Sequence, residues 1–114
     1  MRPKQRDIVL IPIPFTDLSS SRRRPVIVLS NDDYNRKTED VVVVAMTSNP
    51  VQKEYVLTIT NDNLETGKLN RPGQVRVDKI YALSQHIIVK TFGRINNTTF
   101  LQVRELLNRL ISSP

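Results

Sequence analysis

The apolar residues of this chain come in short runs rich in β-branched side chains, and the strongest is Val41-Val42-Val43-Val44-Ala45-Met46. Four consecutive valines suit the pleated surface of a strand and lose rotamer freedom in a helix. Val26-Ile27-Val28-Leu29 is a second unbroken apolar run, of the kind buried on both faces. Ile8 to Ile13 reads as a first strand, with Pro12 marking an edge or a bend. Glu54 to Ile59, Gln74 to Val77, Ile80 to Leu83 and His86 to Phe92 read as further strands. Asn61 to Thr66 reads as a short helix capped by Asn61 or Asp62 and stopped by Gly67. Asn31 to Asp40 is a polar loop with room for one helical turn.

Only the last segment changes period. Phe100, Val103, Leu106, Leu107, Leu110 and Ile111 recur at three- and four-residue spacing, which predicts one amphipathic helix with Thr98 or Thr99 as its N-cap. Six or seven short strands and one C-terminal α-helix make the chain mainly β, in the α+β class. The expected architecture is a strongly twisted, partly closed antiparallel β-barrel whose helix covers one open end or face. At 114 residues the whole chain, 1–114, is expected to be a single domain.

Composition narrows the chemistry. There is no Cys and one His, so thiol nucleophiles, disulfide scaffolds and multi-histidine metal cages are excluded. An enzyme of this composition works with Arg, Lys, Asp, Glu, Ser, Thr or Tyr, and neither a metal nor another cofactor is expected. Lys and Arg number 17 against 11 Asp and Glu, a net charge of +6. That balance favours a polyanionic partner, nucleic acid before an anionic membrane surface. The polar N-terminus and the short Ile8–Ile13 run predict neither a signal sequence nor a membrane span. A soluble, cytoplasmic protein is expected.

Several constellations can carry chemistry. Arg22-Arg23-Arg24-Pro25 ends a serine-rich loop, and Pro25 biases Arg24 towards an extended conformation at a strand start. An arginine held there suits bidentate contact with a phosphate, while the bland alternative is a solvated charged turn. Thr47-Ser48-Asn49 follows the valine strand; its hydroxyls either donate to a phosphate or form a strand-capping turn before Pro50. Arg76 and Asp78 are two apart on a strand, so they share a face opposite Val75 and Val77. They read as a base with a phosphate clamp, or as a surface ion pair. His86 reads as a partly buried packing or hydrogen-bonding residue. Phe15, in the basic loop, can stack on a base.

In this order the motifs resemble the MazF/PemK family of toxin endoribonucleases. Gln5-Arg6-Asp7-Ile8-Val9 stands where the family has an Arg-Gly-Asp-like strand opening, and Arg24-Pro25-Val26-Ile27-Val28-Leu29-Ser30 resembles its Arg-Pro strand. Val43-Val44-Ala45-Met46-Thr47-Ser48 resembles its valine-rich strand, and Val75-Arg76-Val77-Asp78-Lys79-Ile80 its Val-Arg-x-Asp stretch. The resemblance implies an SH3-like barrel, usually homodimeric, that cleaves single-stranded RNA at short motifs without metal. It places catalytic roles on Arg24, Thr47, Arg76 and Asp78, with Asp78 either the base or the group that orients Arg76. Phe15, Arg22, Arg23, Ser48, Asn49 and Lys79 are the accompanying RNA-binding candidates. Loops Asp17–Arg23, Asn31–Asp40 and Pro50–Lys53 are the places to set the RNA motif. The partner implied is an acidic antitoxin that lays a tail across the groove. The chain lacks the first-loop His of the PemK-like branch, and Arg6 replaces the opening Gly. Two other readings compete. One is a single-stranded nucleic-acid-binding barrel that does not cut. The other is a gyrase-inhibiting toxin of the same fold, which relies on a C-terminal Trp where this chain has no Trp.

Overall fold

The structure, a computed structural model, describes residues 2–12, 23–49 and 54–114. In chain order these form β1 (Asp7–Pro12), β2 (Arg23–Val28), α1 (Asp32–Lys37), β3 (Asp40–Thr47), β4 (Val56–Ile59), β5 (Leu64–Gly67), β6 (Gly73–Ser84), β7 (Lys90–Ile95) and α2 (Asn97–Ile111). The strands make one antiparallel sheet in the order β4-β6-β3-β2-β1-β7-β5. It curls into a half-barrel, the mainly-β architecture expected from the sequence.

The long apolar runs are explained by burial on both faces. Ile8, Ile27, Val44, Met46, Val75 and Val77 face one core, which Phe100 and Val103 of α2 close. Val9, Ile11, Val26, Val28, Val41 and Val43 face a second, covered by Tyr81, Leu83, Ile87 and Ile88. Alternate residues of the same strand therefore serve opposite cores, and no polar residue interrupts Val41–Met46.

Curvature comes from β6. Val44 pairs with Ile80 but Ala45 pairs with Arg76, so Val77, Asp78 and Lys79 bulge out of the ladder with β3. The Val77 N–H donates instead to the Tyr55 carbonyl at 2.9 Å. Such a bulge bends its strand and strengthens the local twist. The stretches read as separate strands at Gln74–Val77 and Ile80–Leu83 are thus one bent strand.

Three local expectations are corrected. The predicted helix over Asn61–Thr66 is a single 3-10 turn, Asn61–Asn63, capped by Thr60, and the chain then enters β5. Gly67 does not stop a helix. It lies at φ +85 against the Phe92 carbonyl, where a Cβ would clash. The expected strand over His86–Phe92 begins only at Lys90, since Gln85–Ile87 form a 3-10 turn. His86 is exposed there, with Nε2 3.1 Å from Glu39. The N-cap of α2 is Asn96, whose side chain accepts the Thr99 N–H at 2.8 Å. Thr99 is buried instead, its hydroxyl accepting from Asn63 at 3.0 Å.

Arg6, where the resembling family has glycine, adopts φ 80. Its guanidinium donates to Glu65 at 2.9 Å and to the Ile95 carbonyl at 3.0 Å, which offsets the strain of a left-handed non-glycine residue. Arg94 extends the cluster, bonding Asp7 at 3.0 Å and Glu65 at 3.4 Å. Arg6→Ala keeps the strain and loses both bonds, whereas Arg6→Gly loses the bonds but relieves the strain. We expect both to lower stability, with Gly the milder by about 0.5–1 kcal/mol once its greater unfolded-state entropy is counted. Thermal or urea unfolding of the two variants checks the order.

Candidate functional site

The site lies at the rim of the sheet where β2 begins and β3 ends. Val26 pairs with Ala45, Ile27 with Val44 and Val28 with Val43. The pairing ends at Val26–Ala45, and beyond it Arg24 on β2 and Thr47 on β3 border one groove. On the other side of β3, Thr47 pairs with Gln74 and Ala45 with Arg76. Arg76 is therefore diagonal to Thr47, a spacing of about 7–8 Å. Strand alternation puts Arg24, Thr47 and Arg76 on one face of the rim, and Arg23, Pro25 and Met46 on the other.

Arg76 and Asp78 form a two-pronged ion pair, Nε to Oδ1 at 3.1 Å and Nη2 to Oδ2 at 2.9 Å. Their side chains are 15% and 35% exposed. The hydrogen bonds from Arg76 hold the Asp78 carboxyl below the usual carboxylate range, outweighing its partial burial. The Thr47 hydroxyl accepts the Asn49 N–H at 3.2 Å, so the turn expected after β3 is present. The same hydroxyl keeps its proton for donation at the rim.

A groove of about 820 Å³ opens along this rim. Arg24, Thr47 and Ser48 border it, together with Arg23. Asn49 lies just past it in the turn, and Lys79 is exposed in the β6 bulge, away from the groove. Phe15 and Arg22 fall outside the described residues, as do the predicted loop around them and Pro50–Lys53. The groove also takes in Lys68, Asn70, Arg71, Lys90 and Phe92, none of which stood out in the sequence. One sequence signal was present: Lys68-Leu69-Asn70-Arg71 puts two cations and no acid between Gly67 and the Pro72-Gly73 pair.

Electrostatics separate this groove from the rest of the surface. Arg23, Arg24, Lys68, Arg71 and Lys90 border it, and among the described residues none forms an ion pair and no carboxylate borders the groove. Elsewhere some cations are matched, Arg2 with Glu39, Arg6 and Arg94 with Glu65, Arg36 and Lys37 with Asp33, while Lys4, Lys79, Arg104 and Arg109 form no ion pair among the described residues. Arg76 is neutralised by Asp78, so its strand face adds no net charge. Five cations without an ion pair among the described residues thus border one groove.

Comparison with known proteins bears on the family and the fold. A family model described as the PemK-like, MazF-like toxin of type II toxin–antitoxin systems matches residues 4–111. No curated protein matches the sequence. Among solved structures, an endoribonuclease in complex with its cognate antitoxin from a mycobacterial species superposes with a TM-score of 0.78 at 18% identity, covering 98% of this chain and 99% of that one. A mycobacterial endoribonuclease superposes at 0.77 and 21% identity, covering 100% and 95%. The MazE–MazF complex of Deinococcus radiodurans superposes at 0.78 and 19% identity, covering 100% and 99%.

The Arg76–Asp78 pair has a consequence for pH. Because the Asp78 pKa is lowered by folding, the pair stabilises the fold at neutral pH. That contribution is lost only as pH falls through a value below the ordinary aspartate range. We expect an NMR titration of the Asp78 carboxyl carbon to show this low midpoint. Arg76→Ala should return it to the ordinary range near 3.9.

Proposed function

This chain belongs to the PemK-like, MazF-like family of type II toxin–antitoxin toxins, and on that premise we propose that it is a metal-independent endoribonuclease cutting single-stranded RNA in the cytoplasm. The RNA's own 2′-oxygen attacks the adjacent phosphorus. The new O2′–P bond replaces the P–O5′ bond, leaving a 2′,3′-cyclic phosphate and a free 5′-hydroxyl. One proton leaves the 2′-hydroxyl and one reaches O5′. Between these steps the phosphorane carries extra negative charge, so a preorganised cation and a hydrogen-bond donor are what the reaction needs most.

Arg24 and Thr47 bordering one groove, with cations that form no ion pair among the described residues, is the observation that carries this reading. Arg24 stabilises the phosphorane and protonates O5′, and Thr47 donates to a phosphate oxygen. Asp78 is a poor base, because Arg76 lowers its pKa rather than raising it. The two-pronged bond favours the other role, in which Asp78 orients Arg76. The 2′-hydroxyl proton then passes to water in the open groove. Ser48 and Arg23, which border the groove, contact the RNA backbone. The protein acts as a homodimer and is silenced by an acidic antitoxin segment competing for the same groove.

Primer-extension mapping of cuts on a long RNA, with EDTA present, tests turnover, metal independence and motif together. Wild type is expected to cut at a short motif with EDTA making no difference. Arg24→Ala is expected to lose about 10²–10³-fold in rate, the scale for removing one transition-state donor. Asp78→Asn is expected to lose far less. Full activity in Arg24→Ala sinks the catalytic assignment, and a loss in Asp78→Asn as deep as that of Arg24→Ala restores Asp78 as the base. RNA that is bound but never cut favours a binding-only barrel.

A further inference from the structure

The groove reaches well beyond the face that carries Arg24, Thr47 and Arg76. Lys90 pairs with Leu10 on β7 and β1, on the opposite face of the rim. Residues 68–72 connect β5 at one side of the sheet to β6 towards the other, and so pass over that opposite face. This connection is anchored. The Asn61 side chain accepts the Leu69 N–H at 2.7 Å and donates to the Leu69 carbonyl at 3.3 Å. The Leu69 side chain is 9% exposed and packs in the core with Met46. Lys68 and Arg71 flank that anchor, both exposed and without an ion pair among the described residues, so two cations are held along the groove. Apolar side chains, Leu10 and Phe92, also border it.

We propose that Lys68, Arg71 and Lys90 form a phosphate channel that carries the RNA over the rim of the sheet. The scissile phosphate lies at Arg24 and Thr47, and the flanking phosphates lie on the three cations. This inference rests on the ribonuclease reading and extends it to how long a strand is held. A volume of about 820 Å³ is more than one nucleotide needs. Cations without carboxylate partners match a repeating anion, and apolar side chains beside them give bases a surface to stack on. The channel explains how a domain of this size holds single-stranded RNA while Arg76 is neutralised by Asp78.

The test compares wild type with the full chain carrying Lys68→Ala, Arg71→Ala and Lys90→Ala. Binding of a single-stranded oligonucleotide with uncuttable 2′-O-methyl riboses is measured between about 50 and 200 mM KCl. Each lost contact removes about 0.7 from the slope of log affinity against log salt, so the triple variant is expected to be flatter by about 2. On cuttable RNA its KM should rise more than its kcat falls. If the triple variant does not fold, Lys68→Gln with Arg71→Gln carries the same test with a drop of about 1.4. An unchanged slope in a folded variant overturns the proposal. So does an unchanged RNA slope with weakened binding of an acidic peptide, which assigns the wall to a protein ligand. If wild type leaves all RNA intact and the slope still drops, the cleavage reading falls and the channel stands. If it cuts RNA and the slope is unchanged, the channel alone falls.

Discussion

The register between β2 and β3 is the constraint on which the site depends. Ile27 and Val44 oppose each other in one core, and Val26, Val28 and Val43 face the other, all at 2% exposure or less. A slip of one residue would turn every one of these side chains to the wrong face. The buried residues therefore hold the register, and the register brings Arg24 and Thr47 to one rim just beyond it. The geometry of the proposed site is inherited from packing in the middle of the sheet. The cost of moving it is the cost of unpacking two cores, which is what holds these two half-buried side chains at the strand ends.

Charge is distributed by the same logic of pairing. Several acids in the described chain are engaged: Asp7 and Glu65 with Arg94, Asp33 with Arg36 and Lys37, Asp78 with Arg76. The exposed pairs among them contribute little stability each. Their effect is on the field. By neutralising Arg36, Lys37, Arg76 and Arg94 they leave the five groove cations as one cluster of positive potential, which an open groove focuses on an incoming polyanion. A net charge of +6 thus becomes a directed property rather than a diffuse one.

Much of this was legible in the sequence, for identifiable reasons. Periodicity separated strands from the one amphipathic helix because those periods are set by backbone geometry. Arg76 and Asp78 were legible as neighbours because two residues apart on a strand is a local relation, and the bonds between them are present. Capping was less legible. Thr98 and Thr99 are reasonable caps by residue type, yet Asn96 takes the role and Thr99 turns inward to Asn63, a residue 36 positions earlier. The helix expected at Asn61–Thr66 gave way to β5 because Leu64 and Thr66 find partners on β7, Ile95 and Arg94. Tertiary pairing there overrides a local capping signal.

By itself the sequence determined the mainly-β class, the C-terminal helix, the chemistry open to a chain without Cys, and the local motifs Arg24-Pro25, Thr47-Ser48 and Arg76-x-Asp78. Each of these is a statement about neighbours along the chain. Only the tertiary structure decided that Arg24 and Thr47 border one groove, that β6 bends at Val77–Lys79, and that Lys68, Arg71 and Lys90 share that groove with Arg23. These relations join residues far apart in sequence. They exist because burying both faces of a twisted sheet forces it to curl and brings its distant edges to one rim.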